Sequence, residues 1–322
     1  MKAQEFIIGK LDELKKPLPL MPPPRNQLEN EIVRLILSKK FRKYSANEEL
    51  IHHVRRAVHL SVQRNEPVNL TFFHGAYKLW RLEEAPNVDW AELFAMMYFS
   101  QWLKPVCAIY EPGVWLDIFV DDTILERLNN LDSSEIRDYI DSEQAAMDFL
   151  ENYRPKNLRM TITPASSQFA SVNEFWSKVE KELGKIRSSG LCKMTEADVR
   201  RIEMSVRPKE GELRNENWWQ EKHELLNAYY IVADGLDYYE GREDKIMVLT
   251  RPLPGWSAVA VGTTKNSVMK FWIGAGVLTR RGETYEPTIL SFNQLKNCEF
   301  DIEKVSISGL DGKNFERIRV LR

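Results

Sequence analysis

Residues 68–81 read VNLTFFHGAYKLWR, and this stretch decides the fold. Its first half, Val68 to Phe73, is a short run of β-branched and aromatic residues, which predicts a buried strand. Its second half is polar, and further polar clusters follow at 89–92 and at 120–122. Ligands of open α/β sheets bind beyond the carboxyl ends of the strands. The spacing therefore predicts that the three clusters form an active-site floor.

The composition excludes several classes of protein. The 322 residues are 43% apolar and 29% charged, which is ordinary for a globular protein. A net charge of −2 argues against a protein that binds nucleic acid through an overall positive potential. Cys107, Cys192 and Cys298 match neither a disulfide framework nor a zinc spacing and fit a reducing compartment. No apolar run reaches the roughly 18 residues of a membrane span, so we expect a soluble, cytoplasmic protein without membrane partners.

Repeated prolines separate the N-terminus from the rest of the chain. Residues 15–25 read KKPLPLMPPPR, which disfavours a helix and favours an extended, polyproline-like conformation. We therefore assign residues 1–25 to a Pro-rich arm and expect the folded body to begin after it. That body is predicted to be a single α/β catalytic domain over residues 26–322, with a helical cap over 26–66 and a β-rich completion over 245–322.

Capping patterns and apolar periodicity predict the helices. Ser45 with Glu48 predicts a capping box before a helix whose apolar residues share one face. Pro105 predicts the end of a largely buried helix that starts near Trp90. Three further helices are predicted to begin at the caps Asp132, Ser171 and Thr195, and another is predicted over residues 217–230.

The predicted strands alternate with helices over the first two thirds of the chain. They are residues 68–73, 107–110, 114–120, 158–163, 245–250, 256–261, 267–272 and 305–307. This alternation predicts a Rossmann-like mixed α/β sheet covered by helices, with the last strands completing the sheet or forming an antiparallel edge. We expect 68–73 and 114–120 to be neighbouring, largely buried strands of that sheet.

Two cations follow the first predicted strand. Lys78 and Arg81 are three residues apart, and cations at a strand end suit a phosphate or a carboxylate, Arg through bidentate geometry and Lys as a point charge. Gly75 would let a backbone amide approach the same anion. The alternative is a polar loop with two solvated cations, although the flanking aromatic residues favour a loop tied to the body.

Carboxylates end the other two clusters. Asp89 and Glu92 share one face of a first helical turn, where Asp89 can instead be a simple N-cap. Asp121 and Asp122 end an apolar strand, where carboxylates can hold a metal ion or a ligand hydroxyl, or supply a general base. Asp122 also fits a cap for a helix beginning near Thr123.

His74 is the histidine that lies in the candidate site, where it can be either structural or catalytic. The sequence contains no HExxH, GxGxxG, GxxxxGK[ST] or GxSxG motif, which argues against zincin, dinucleotide-binding, P-loop and α/β-hydrolase chemistry. Arg251 follows the predicted strand 245–250, and Lys270 lies in the predicted strand 267–272. They could add cations to the same pocket.

The order and spacing of these clusters resembles the pyoverdine/dityrosine biosynthesis family, which includes isocyanide synthases. That family has a strand followed by a Lys-containing loop, Pro-Asp-x-x-Glu opening a helix, Tyr-x-Pro-Gly, and an apolar strand ending in Ser-Asp-Gly. The similar stretches here are Ala76–Leu79, Val88–Glu92, Tyr110–Gly113, Val120–Asp122 and Tyr139. The resemblance covers about residues 68–150, with a looser similarity at 251–256.

The resemblance implies an enzyme of secondary metabolism that condenses the amine of an amino acid with a pentulose phosphate to form an isonitrile. It implies that Lys78 meets the sugar phosphate or its carbonyl, with Asp89, Glu92 and Asp121 as acid/base or orienting groups. His74, Gly75, Tyr77, Arg81, Arg251 and Lys270 are the expected substrate-binding residues. Neither a cofactor nor a metal ion is expected.

Two other functions remain open from the sequence. One is a metal-dependent sugar or nucleotidyl transferase in which Asp121 and Asp122 hold the cation. The other is a non-catalytic binding protein that uses the Pro-rich arm and exposed aromatic residues. If the site is catalytic, Lys78, Asp121 and one of Asp89 and Glu92 should line a single cleft, their functional atoms within about 10 Å of one another. Lys78→Ala is then expected to abolish turnover with little effect on stability, because an exposed ion pair contributes only about 0–1 kcal/mol.

Overall fold

The computed structural model describes residues 2–190, 193–234, 243–250, 257–265 and 270–322. Its first sheet has five parallel strands in the order β3-β2-β1-β4-β5. They are β1 (Val68–His74), β2 (Val114–Val120), β3 (Leu158–Pro164), β4 (Lys245–Leu249) and β5 (Ala258–Ala260). β1 and β2 are neighbours along their whole lengths and are largely buried, as predicted. The parallel order places the ends of β1 and β2 side by side.

Ten α-helices are described. They are α1 (Ala3–Lys15), α2 (Arg25–Ile36), α3 (Glu48–Arg64), α4 (Trp90–Ile109), α5 (Thr123–Asn129), α6 (Ser133–Glu151), α7 (Val172–Ser189), α8 (Glu196–Ser205), α9 (Glu216–Asp234) and α10 (Phe292–Asn297). The caps predicted at Asp132, Ser171 and Thr195 are the N-caps of α6, α7 and α8. α4 packs against the parallel sheet, where the rings of Phe72 and Phe99 lie 4.8 Å apart between centroids. None of the described helices combines the length and the apolar content needed to cross a bilayer.

A second sheet follows the parallel one. It is formed by β6 (Ala275–Arg281), β7 (Thr284–Leu290), β8 (Phe300–Lys304) and β9 (Arg317–Leu321), in the order β7-β6-β9-β8. The α/β class, the helical N-terminus and the β-rich end are therefore confirmed. The expectation that the last strands complete the first sheet holds for β4 and β5 but is wrong for the others, since β6 to β9 pair only with one another.

The N-terminal residues belong to the folded body, contrary to the prediction. α1 buries Phe6, Ile7, Leu11 and Leu14 completely or nearly so. Lys104 of α4 also donates from Nζ to the carbonyl of α1 residue Glu13 at 2.6 Å. The prolines after α1 end that helix but do not detach it. The extended arm is therefore confined to residues 16–24.

Other boundaries also differ from the predictions. α4 continues through Pro105 and includes most of the stretch predicted as a strand at 107–110, because a short apolar run does not distinguish a strand from a buried helix. Asn47, not Ser45, caps α3, accepting the N–H of Leu50 at 2.9 Å. The strand predicted at 305–307 instead occupies 300–304. Residues 267–269 and 251–256 lie outside the described part, while 270–272 are not a strand.

Candidate active site

Lys78 lies in a 3-10 turn, Tyr77–Trp80, just beyond β1. Its backbone N–H donates to the carbonyl of Trp272 at 2.9 Å. Its Nζ donates to Asp89 Oδ1 at 3.1 Å and to Glu92 Oε2 at 2.7 Å, and the side chain is 0% exposed. A solvated loop is therefore wrong for Lys78. The premise of the Lys78→Ala expectation, an exposed ion pair, is wrong too: the pair is buried, and removing one partner of a buried ion pair is costly.

Asp89 combines two roles that the sequence left as alternatives. It is the N-cap of α4, where Oδ1 accepts the N–H of Ala91 at 2.7 Å and Glu92 Oε2 accepts the N–H of Asp89 at 3.0 Å. The same Oδ1 accepts the Lys78 ammonium and, at 3.4 Å, the N–H of Gly276. The capping box therefore holds the carboxylates in the geometry that pairs them with Lys78.

Burial strongly perturbs the protonation of Glu92. Its side chain is 0% exposed, and burial raises the pKa of Glu92 to about 8 although the Lys78 ammonium opposes that rise. The hydroxyl of Tyr139, on α6, donates to Glu92 Oε1 at 3.1 Å. A carboxyl that titrates near pH 8 can both hold and release a proton under neutral conditions, as general acid–base catalysis requires.

His74 forms a second buried pair, with Glu143. The Nδ1 of His74 lies 2.7 Å from the carbonyl of Gly75 and must donate to it, so this ring position carries a proton. Its Nε2 lies 3.2 Å from Glu143 Oε1, and both side chains are 0% exposed. Burial opposes the imidazolium, but the Glu143 carboxylate outweighs it and raises the pKa of His74 above its ordinary 6.5.

The contact between His74 and Glu143 is poorly aligned. Within the described residues, His74 Nε2 and both oxygens of Glu143 lack a partner in hydrogen-bonding geometry. Two facing acceptors repel unless one of them holds a proton, so the pair must share a second proton. The rings of Phe271 and Trp272 pack on the imidazole, with centroids 5.0 and 5.6 Å away, and exclude water from it.

Asp121 lies beyond β2, beside His74. Its backbone N–H donates to the carbonyl of His74 at 2.8 Å. Its Oδ1 accepts the hydroxyl of Tyr229, from α9, and that of Thr123 at 3.2 Å. Burial raises the pKa of Asp121 to about 6, against the effect of the Tyr229 hydroxyl. Asp122 accepts the Ser166 hydroxyl at 2.5 Å and makes no side-chain cap bond to α5.

The other predicted substrate-binding residues have different surroundings. Arg81 stacks on Trp80 at 4.6 Å and donates to the carbonyls of Glu203 and Met204, at the end of α8, at 3.3 and 2.8 Å. These partners of Arg81 lie at the end of α8, whereas those of Lys78 are Asp89 and Glu92. Lys270 lies over the ring of Trp272 at 5.1 Å. Tyr77 begins the 3-10 turn, and Arg251 lies outside the described residues.

The clusters meet as predicted at one edge of the sheet, but not around one open cleft. A cavity of about 560 Å³ reaches Asp89 from the side of the second sheet. Its lining includes neither Lys78 nor Asp121; it consists of Glu83, Glu84, Asp89, Trp90, Gly276, Ile302, Lys313, Asn314, Glu316, Arg317, Ile318 and Arg319. Of the buried group Lys78, Asp89 and Glu92, only Asp89 lines this cavity.

Two residues of the site were not predicted from the sequence. Glu143 lies four residues after Tyr139 on α6, so both face the sheet, and that helical spacing could have indicated it. Tyr229 comes from α9, far along the chain, and no local pattern connects it to Asp121. Within the described ranges, no group of three or more His, Cys, Asp or Glu side chains is arranged to hold a metal ion.

The chain is similar to a solved protein over almost its whole length. PvcA from Pseudomonas aeruginosa superposes with a TM-score of 0.61 at 12% identity, covering 91% of this chain and 99% of PvcA. The chain has the PvcA fold. A tryptophanyl-tRNA synthetase from Aeropyrum pernix K1 gives a TM-score of only 0.29 at 12% identity, over 61% of this chain and 42% of that one, which is too low to indicate a shared fold. No family model and no curated protein matches the chain. The similarity to PvcA therefore shows a shared fold over almost the whole chain.

Proposed function

We propose that this chain is a biosynthetic enzyme of the isocyanide-synthase type, which condenses the amine of an amino acid with a pentulose phosphate. The observation that carries the proposal is the buried group of Lys78, Asp89 and Glu92 at the end of β1. The fold that the chain shares with PvcA over 91% of its length also supports the proposal. The motifs that resemble the isocyanide synthases include these same three residues.

The geometry assigns different tasks to the charged residues. Burial opposes the Lys78 ammonium, but Asp89 and Glu92 outweigh it and raise the pKa of Lys78 above its ordinary value. Lys78 therefore stays protonated and acts as a cation toward a phosphate or carbonyl oxygen, not as a nucleophilic amine. Glu92, which titrates near pH 8, is the acid/base group.

His74 and Asp121 extend the proton-handling groups toward β2. His74, enclosed beside Glu143 and with a raised pKa, can release a proton when charge develops nearby. Asp121, with a pKa of about 6, is ionised at neutral pH and can orient a substrate amine or hydroxyl. The hydroxyls of Tyr229 and Thr123 already occupy its Oδ1, and Ser166 occupies Asp122, so these carboxylates do not favour the alternative of a metal-dependent transferase.

The proposal is tested by product formation. Purified protein is incubated with each amino acid and ribulose 5-phosphate, and isonitriles are trapped with a tetrazine and identified by mass spectrometry. We expect one amino acid to give an isonitrile and Glu92→Gln to abolish the product. Glu111→Gln, which changes an exposed carboxyl in the same way, should leave it unchanged.

Other results would count against the proposal. If the folded protein forms no isonitrile from any amino acid but binds ribulose 5-phosphate in a Lys78-dependent manner, a non-catalytic binding protein is the better description. Product formation that depends on an added divalent ion and transfers a sugar or nucleotidyl group would instead favour the transferase.

A further inference from the structure

The segment between α1 and α2 is exposed and makes few contacts with the body. Residues 16–25 read KPLPLMPPPR; all are exposed except Leu18 and Pro23, which are partly exposed. Met21 is 87% exposed, an unusual position for a large apolar side chain. In the described part of the chain, the backbone N–H groups of Leu18, Leu20 and Met21 donate no hydrogen bond.

The backbone at both ends of this segment has angles near those of a polyproline II helix. Lys16 has φ −63° and ψ 127°, and Pro24 has φ −50° and ψ 144°. A polyproline II helix has about three residues per turn and no internal hydrogen bonds, so side chains three apart share an edge. The proline rings fix φ at the intervening positions. The sequence therefore favours this conformation between the two ends.

The spacing of residues along this helix fits a known mode of recognition. Lys16, Pro19 and Pro22 are three apart and lie on one edge, and Leu18 and Met21 each precede one of these prolines. Aromatic-lined grooves that bind polyproline II ligands receive two such apolar-proline pairs, with a basic residue beyond them. Arg25 cannot take the basic position because it already belongs to α2. Lys16 is therefore the basic residue, and its place at the N-terminal end sets the orientation in which the segment lies in the groove.

The flanking helices hold the segment in place. α1 buries Leu11 and Leu14 immediately before it, and α2 buries Ile32 and Val33 after it. Both ends are therefore anchored in the core, and the prolines between them restrict the conformations that the free segment can adopt. A preformed ligand loses less conformational entropy on binding than a disordered one.

We propose that residues 16–22 are a docking segment for a partner protein with an SH3-type groove, which takes Leu18-Pro19 and Met21-Pro22 in its two aromatic-lined pockets and pairs an acidic side chain with Lys16. The segment lies outside the candidate active site. Binding would bring the enzyme to a partner without using a catalytic residue.

The test uses the full-length protein and a panel of SH3 domains that accept Lys/Arg-x-x-Pro-x-x-Pro ligands, with affinity measured by calorimetry. We expect at least one domain to bind, and the double substitution Pro19→Ala/Pro22→Ala to weaken binding at least about tenfold. Lys16→Ala should weaken binding and reduce its dependence on salt, since it removes an exposed charge contact. Pro23→Ala, outside both apolar-proline pairs, is the matched control and should change affinity less than about twofold.

Three results would overturn the proposal. One is that no domain of the panel binds the full-length protein, whether or not a free peptide of residues 14–26 binds, because the segment is then not an accessible ligand in the protein. Another is binding that survives the double substitution. The third is an equal loss in Pro23→Ala, which would place recognition on the following prolines. Circular dichroism establishes that each variant is folded.

Discussion

Replacing Glu92 with glutamine tests the electrostatics of the buried cluster. Burial raises the pKa of Glu92 from an ordinary 4.5 to about 8 in the folded protein. The folded state therefore keeps a proton on this carboxyl at pH values where the unfolded chain has released it. Because the unfolded state binds fewer protons between these two values, this group makes stability fall as the pH rises from 4.5 to about 8.

The size of the effect follows from the shift in pKa. One pKa unit corresponds to about 1.4 kcal/mol, and the unfolded carboxyl is already ionised at pH 6. Between pH 6 and pH 8, Glu92 alone should lower the free energy of unfolding by about 2 kcal/mol. His74, whose pKa is also raised, lowers stability in the same direction as the pH rises, so the comparison must be made between wild type and variant.

Glutamine is suited to this comparison because it can preserve the contacts. Its Oε1 can accept from Lys78 and from the N–H of Asp89, as Glu92 Oε2 does, while its amide nitrogen faces the Tyr139 oxygen. Urea unfolding at pH 6, 7 and 8 should show that Glu92→Gln loses about 2 kcal/mol less than wild type over this range. The exposed control Glu111→Gln should follow wild type. Parallel pH profiles for wild type and Glu92→Gln would refute the assignment of a raised pKa to this carboxyl.

Four further substitutions test the structure. Lys78→Met should lower the free energy of unfolding by about 3–5 kcal/mol, because it leaves the buried Asp89 carboxylate without its cation; a urea-unfolding change below about 1 kcal/mol would contradict the buried pair. Gly276→Ala should destabilise the protein by about 1–3 kcal/mol, because the new Cβ would lie 2.3 Å from the Ala91 nitrogen. Gly184→Ala, with open space in α7, should instead stabilise it by about 0.5–1 kcal/mol in the same urea-unfolding experiment. Tyr229→Phe removes a hydroxyl that lowers the pKa of Asp121, so the acid limb of a pH–rate profile should move upward from about 6; an unchanged limb would mean that Asp121 does not control it.

Much of the fold was accessible from local sequence patterns. The β1 and β2 runs are short, apolar and bounded by turn residues, so their burial and pairing followed from pattern alone. α1 was missed because the prolines after it suggested an arm, although prolines end a helix without preventing its packing. The second sheet was missed because its strands pair only among themselves, through contacts that no local pattern encodes.

The candidate site was predictable in part for the same reason. Lys78, Asp89 and Glu92 lie close in sequence at the ends of elements, so their proximity could be expected. Their complete burial could not, because it depends on Trp272 and the second sheet, which arrive from the other end of the chain. Arg81 was assigned to the anion site on spacing alone, whereas the end of α8 provides its partners.

Asp89 both caps a core helix and pairs with the buried lysine. These two roles determine how substitutions at Asp89 would affect the protein in a cell. A substitution there removes a helix cap and a charge partner at once, so the variant loses stability together with any catalytic function. Destabilisation of 1–2 kcal/mol is enough to change cellular abundance several-fold through chaperones and proteases. Inactivating alleles at Asp89 should therefore be recognised by depleted protein on an immunoblot, not by a normal amount of inert enzyme.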